Sequence, residues 1–134
     1  KSILQETDPA VESPERVILC SGKLYYDLLE YRRQHEQTDT ALLRVEQFYP
    51  FNRDLLAECL KALGKYRTLI WCQEEPENMG GWRFMERHLE AVTGKRPLYA
   101  GRDAAASPAV GSLALHKREQ ADLIETAFSL NGTR

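Results

Sequence analysis

The chain has 134 residues, a formal net charge of -2 at pH 7, 43% hydrophobic residues and 28% charged ones. That length corresponds to one domain and suffices to bury a core, and the apolar content excludes an intrinsically disordered chain. The slightly acidic balance argues against a nucleic-acid partner, and no segment nears the roughly 20 apolar residues of a membrane-spanning helix.

Residues 1–16 are polar, contain Pro9 and Pro14, and read as a connecting arm without a secretory apolar stretch. The first apolar strand run covers residues 17–20. After it, Leu24, Leu28 and Tyr31 line one helix face while Asp27, Glu30 and Arg32 point to water. The second run, 41–46, leads to Asn52 as a helix cap, an apolar stripe of Leu55, Leu56, Cys59, Leu60 and Leu63, and Gly64 as a left-handed stop. The third run, 67–73, precedes a helix carrying Trp82, Met85, Leu89 and Val92 and ending at Gly94. After the fourth run, 97–100, Ser107-Pro108 reads as a cap and first helical turn. The terminal amphipathic helix carries Leu123, Ile124, Ala127 and Phe128. One continuous helix through residues 109–128 would place Lys117 near the apolar face, so a break or bend is expected near His116.

Strands alternating with helices predict an α/β fold with a mostly parallel sheet of four or five strands and helices on both faces. A short antiparallel strand can add to it. The expected organisation is a polar arm over 1–16, a single α/β domain over 17–130 and a tail over 131–134. Cys20, Cys59 and Cys72 fall on apolar strand and helix positions and read as buried free thiols, which fits a reducing compartment. Neither a C-x2-C pair nor an H-E-x-x-H helix offers a metal site. His35 and His88 read as helix-surface residues, and His116 as a capping or local hydrogen-bonding group.

In a parallel sheet, the loops leaving the carboxyl ends of the strands share one edge, where helix N-termini also point. That edge would gather Ser21, Gly22 and Lys23, then the corner Phe48, Tyr49, Pro50 and Phe51, then residues 74–82, then Gly101 and Arg102. Ser21, Gly22 and Lys23 read either as an anion contact or as a turn and helix cap. Arg102 reads either as a clamp on an anionic ligand or as an ion-pair partner. Glu74, Glu75 and Glu77 in a turn before a helix read as structural or interface charges, with catalysis the lesser alternative. Gly81 permits close contact and Trp82 supplies an anchor. The aromatic corner lacks the basic surroundings of a base-stacking platform and reads as core or interface. No GxSxG nucleophile elbow, Walker A loop or GxGxxG fingerprint occurs.

Taken together, VILCSGKLYYDL, RVEQFYPF, WCQEEPENMGGWRF and YAGRDAAASPAVGSLALHKREQADLI resemble successive blocks of the 2-oxoglutarate dehydrogenase E1 C-terminal domain, from about residue 17 to 128. The resemblance implies a transketolase-like domain of a parent enzyme that binds thiamine diphosphate and magnesium in its other domains. That parent decarboxylates 2-oxoglutarate and succinylates the lipoyl group of its E2 partner, dihydrolipoyl succinyltransferase. The implied partners are the remaining E1 domains and a second E1 copy. The implied location is the bacterial cytoplasm, or the mitochondrial matrix in a eukaryote. No GDG…N diphosphate motif occurs here, so neither catalytic nor cofactor-binding residues are carried over and the isolated chain is expected to be inactive. A supporting role is carried to Glu74, Glu75, Asn78, Gly81 and Trp82. The resemblance also raises an acyl-CoA or adenine-nucleotide regulatory site, for which Ser21, Gly22, Lys23 and Arg102 are the candidate contacts.

Overall fold

A computed structural model of the chain describes residues 3–104 and 112–132. The elements run β1 (Ile3–Leu4), β2 (Arg16–Cys20), α1 (Leu24–Gln34), β3 (Thr40–Val45), α2 (Arg53–Ala62), β4 (Thr68–Pro76), α3 (Trp82–Thr93), β5 (Leu98–Arg102) and α4 (Leu113–Ser129). The strands form one sheet in the order β1-β3-β2-β4-β5. All neighbours are parallel except β1, which pairs antiparallel with the end of β3, Ile3 opposite Val45.

The central strands are apolar on both sides because both sides are covered. Alternate residues divide between two cores, as the two-residue strand period requires. Val17, Leu19, Ala41, Leu43, Leu69 and Trp71 pack with α2 and α3 through Leu56, Cys59, Leu60, Met85 and Leu89. Ile18, Cys20, Leu42, Ile70 and Cys72 pack with α1 and α4 through Leu24, Leu28, Leu123, Ile124 and Phe128. All three cysteines are free and buried, and burial pushes the Cys20 thiol up to about 12. Asn52 caps α2 by accepting from Leu55 N at 2.9 Å, and Gly64 and Gly94 close α2 and α3 with φ of 81° and 73°.

Three expectations are corrected. Arg32 does not face water: it is 3% exposed, with its Nη2 3.0 Å from Glu6 Oε2 and its Nη1 donating to Thr40 O at 3.0 Å. Its partner arrives from the polar segment before β2, which a helix-face reading of α1 cannot see. Glu6 also accepts from Leu42 N at 2.7 Å, satisfying a β3 edge amide beyond the end of β1. Residues 3–11 therefore pack on the sheet edge, with Ile3 and Val11 buried in the core.

The second correction concerns α4, which runs without a break through His116 from a Ser112 cap. Its apolar packing on the sheet comes from its C-terminal half, Leu123 to Phe128. Leu113 and Leu115 are 70% and 48% exposed and Lys117 is also exposed, so no apolar neighbour disfavours the lysine. Arg16 ties down the far end of α4, donating to Phe128 O, to Leu130 O at 2.8 Å and to Asn131 Oδ1 at 2.7 Å. These bonds satisfy carbonyls that a helix end leaves without intrahelical donors. The proposed cap at Ser107-Pro108 lies outside the described residues. Third, β4 continues three residues past Gln73, so Glu74 and Glu75 belong to a strand and not to the turn before α3.

Candidate functional site

The β4 extension follows from a polar side chain in an apolar strand. Trp71 and Gln73 share a face of β4, two residues apart, and Trp71 Nε1 donates to Gln73 Oε1 at 2.8 Å. The same oxygen accepts from Trp82 N at 2.9 Å, at the start of α3. Gln73 Nε2 donates to the carbonyls of Glu75 at 3.1 Å, Pro76 at 2.9 Å and Met79 at 2.7 Å. One amide, 3% exposed, thus organises the whole link from β4 to α3.

The glycines around it are required by contact distance. A Cβ on Gly81 would lie 2.9 Å from Trp71 Cζ2 and 3.0 Å from Phe48 Cζ. A Cβ on Gly101 would lie 2.5 Å from Tyr99 Oη and 2.8 Å from the backbone oxygen of Gln73. Opposite this close approach, β4 and β5 shift register between Cys72 and Pro76. Tyr99 Oη bridges the irregularity, donating to Arg102 O at 2.7 Å, with Glu75 O at 3.2 Å. Burial raises its hydroxyl pKa to about 12, which keeps the donor protonated.

Glu74 is half-buried while Glu75 and Asn78 are exposed, and Trp82 is buried against the core with its ring 5.2 Å from that of Tyr99. The motif therefore works through Gln73, Gly81, Trp82 and backbone carbonyls more than through its carboxylates. Gln73 and Tyr99 are the residues that the sequence reading passed over. The available signal was a lone amide on the tryptophan face of an otherwise apolar strand.

Arg102 projects from β5 towards α4. It is 7% exposed, its Nη2 lies 2.9 Å from His116 Nδ1 and 3.9 Å from Glu119 Oε1, and its buried Nε has no hydrogen-bond partner among the described residues. The open hollow beside it, about 430 Å³, is lined by Gly101, Asp103, Glu119, Asp122, Leu123 and Thr126. The acidic rim attracts the guanidinium and disfavours an anion in the hollow. Ser21 is half-buried and Gly22 and Lys23 are exposed after β2, which β4 separates from β5. Those three residues do not line the hollow at Arg102.

The aromatic corner sits on α3. The Phe84 ring lies 5.7 Å from Phe48, 5.7 Å from Tyr49, 5.2 Å from Phe51 and 4.4 Å from His88. The Tyr49-Pro50 bond is cis, and Tyr49 itself is 81% exposed. His88 accepts from Arg53 Nε at 3.1 Å, and its pKa is lowered by burial and then by the nearby Arg53 and Arg87 charges.

With this geometry in view, the relatives can be compared. Residues 1–128 match the family model described as 2-oxoglutarate dehydrogenase C-terminal. The chain belongs to that family. The matched range contains the Gln73 network, the Gly101 close approach and the aromatic corner. The 2-oxoglutarate dehydrogenase E1 component of Haemophilus influenzae is 43% identical over 128 residues, covering 94% of this chain and 14% of the relative. That of Cupriavidus necator is 47% identical over 117 residues, 86% of this chain and 12% of the relative. That of Brucella anthropi is 47% identical over 119 residues, 84% and 12%. The chain thus spans about one-eighth of the length of these relatives. A solved structure titled a split-gene transketolase, an inactive beta4 tetramer, shares the fold with a TM-score of 0.59 at 17% identity, over 93% of this chain and 44% of that one.

The residues present do not fit a complete thiamine diphosphate and magnesium site. Among the described residues, no group of three or more His, Cys, Asp or Glu is placed to hold a metal ion. The amide at the centre of the carboxyl edge is committed to backbone partners, and the hollow at Arg102 is rimmed by acids that oppose a diphosphate. No described helix is long and apolar enough to cross a membrane.

Proposed function

We propose that this chain is the assembly-supporting C-terminal domain of a 2-oxoglutarate dehydrogenase E1 polypeptide, non-catalytic by itself. In this reading, other domains of the same polypeptide bind thiamine diphosphate and magnesium and decarboxylate 2-oxoglutarate. They also pass the succinyl group to the lipoyl arm of a dihydrolipoyl succinyltransferase, within an E1 homodimer. The observation that carries it is the use of the edge residues. The block at residues 71–84, one of those that resemble the family, uses its buried polar atoms to fix a strand-to-helix link, with Gln73 as the hub. A rigid, shaped edge of that kind suits a surface against which other polypeptide packs.

The test has two parts. The purified chain, supplied with thiamine diphosphate, magnesium and 2-oxoglutarate, should release no carbon dioxide above a protein-free control, and robust turnover would refute the proposal. In the full-length polypeptide, deletion of residues 17–130 should shift sedimentation from dimer to monomer, and an undisturbed dimer would count equally against it.

A second reading, a regulatory domain for acyl-CoA or an adenine nucleotide, is favoured by the unpartnered buried Nε of Arg102. The acidic rim opposes it. Calorimetry with acetyl-CoA and AMP on the full-length polypeptide separates the two. Saturable binding that Arg102→Met weakens at least tenfold would establish the regulatory reading, and heat-silent titrations would remove it.

A further inference from the structure

We propose that the aromatic corner of Phe48, Phe84 and the exposed Tyr49 is the surface onto which the polypeptide preceding this domain folds back. This inference rests on the assembly reading above and names the contact surface and its occupant. Tyr49 is 81% exposed, and Phe48, Phe51 and Phe84 are only partly buried. Isolated exposed apolar residues are ordinary, whereas a contiguous aromatic group signals a contact surface.

The group is also held in place. Phe48 is pinned against Gly81 and lies edge-on to Trp71, and Phe84 is fixed in α3 between Phe48 and Phe51. Tyr49 touches Phe84 on one side and leaves its outer surface free. Phe48 and Phe84 have little side-chain entropy left to lose on docking, which is the property of interface anchors.

The path of the chain selects the occupant. β1 runs antiparallel to β3 with Ile3 opposite Val45, so the described chain starts at the carboxyl edge of the sheet. The four residues from Val45 to Tyr49 span at most about 14 Å even when fully extended. About seven-eighths of each relative's length lies outside the segment matched by this chain. On the assembly reading most of that length precedes this domain, which tethers it beside the corner at high effective concentration. A second copy would have to reach the same edge past that tethered chain.

The test uses the full-length polypeptide with Tyr49→p-benzoylphenylalanine, assembled as a mixture of isotopically light and heavy copies. After irradiation, peptide mapping should find cross-links from position 49 to preceding residues of the same copy. Mixed light–heavy cross-links would overturn the proposal and assign the corner to contact between copies. Cross-links only to added E2, or none at all, would also overturn it. Hydrogen exchange provides an independent readout. Tyr49→Ser should raise exchange in the preceding region about tenfold and Tyr49→Phe should not, while neither changes the melting point of the isolated chain. Equal exchange in all three proteins would refute the proposal. Sedimentation of the unirradiated protein keeps the two ideas apart. A domain-dependent dimer without these cross-links sinks only the docking surface, whereas a dimer indifferent to the domain sinks the assembly reading.

Discussion

Gln73 occupies a strand position where an aliphatic side chain would be expected, and its amide serves five partners at once. Gln73→Met keeps the volume and leaves the Trp71 and Trp82 N–H donors and several loop carbonyls unpaired. An unsatisfied buried polar group costs about 1–3 kcal/mol, and the loop can relax towards water for some of them. The expected loss is roughly 3 kcal/mol, measured by urea unfolding of the purified chain; a change within the about 0.5 kcal/mol of an ordinary surface substitution would contradict the network. His88 gives a pH signature of definite sign. Its folded pKa lies below the ordinary value of 6.5, so the unfolded chain binds the extra proton more readily. Its contribution is fully present above pH 6.5 and is lost as pH falls through the folded pKa. The urea midpoint of the wild type should therefore drop more between pH 7.5 and pH 5 than that of His88→Gln. Parallel curves would show that the Arg53 contact is too well solvated to matter.

At the scale of elements, the polar segment before β2 carries more structure than its composition announces. Ile3 extends the sheet, and Glu6 neutralises Arg32 while closing the exposed amide of Leu42. The two side chains of the pair are 4% and 6% exposed. Removing one partner of a buried pair strands the other charge and costs about 3–5 kcal/mol. Glu6→Ala should destabilise the chain by about that amount in chemical denaturation, and added salt should recover little of it, because a buried pair is poorly screened. A loss under about 1 kcal/mol would mean that Arg32 finds water on its own. Asp8, with Oδ2 3.8 Å from Arg32 Nη2, is too distant and exposed to replace Glu6.

Across the whole molecule, the sheet separates two cores, with Cys59 in one and Cys20 and Cys72 in the other. Burial raises the Cys20 and Cys72 thiol pKa values, so the reactive thiolate is scarce and inaccessible in the folded state. All three thiols should resist alkylation at pH 8 in the native chain and react together above the urea midpoint, as mass spectrometry of quenched samples would show. Early labelling of Cys59 alone would reveal that the α2 and α3 layer opens separately from the rest.

The strand runs, the caps at Asn52, Gly64 and Gly94, and the apolar stripes of four helices are written in local periodicity, because each depends on residues a few positions apart. So is the family, whose blocks are contiguous. What periodicity cannot carry is a partner supplied from elsewhere in the chain. The burial of Arg32 depends on Glu6, 26 residues away, and the hydrogen bond from Arg102 to His116 on a strand and a helix brought side by side. The strand order, the extension of β4 beyond Gln73 and the unbroken course of α4 were likewise decided by packing. For Arg32 and β4 a local preference was overridden by a buried polar group finding its partner, and for α4 by a first turn whose leucines have no core to enter.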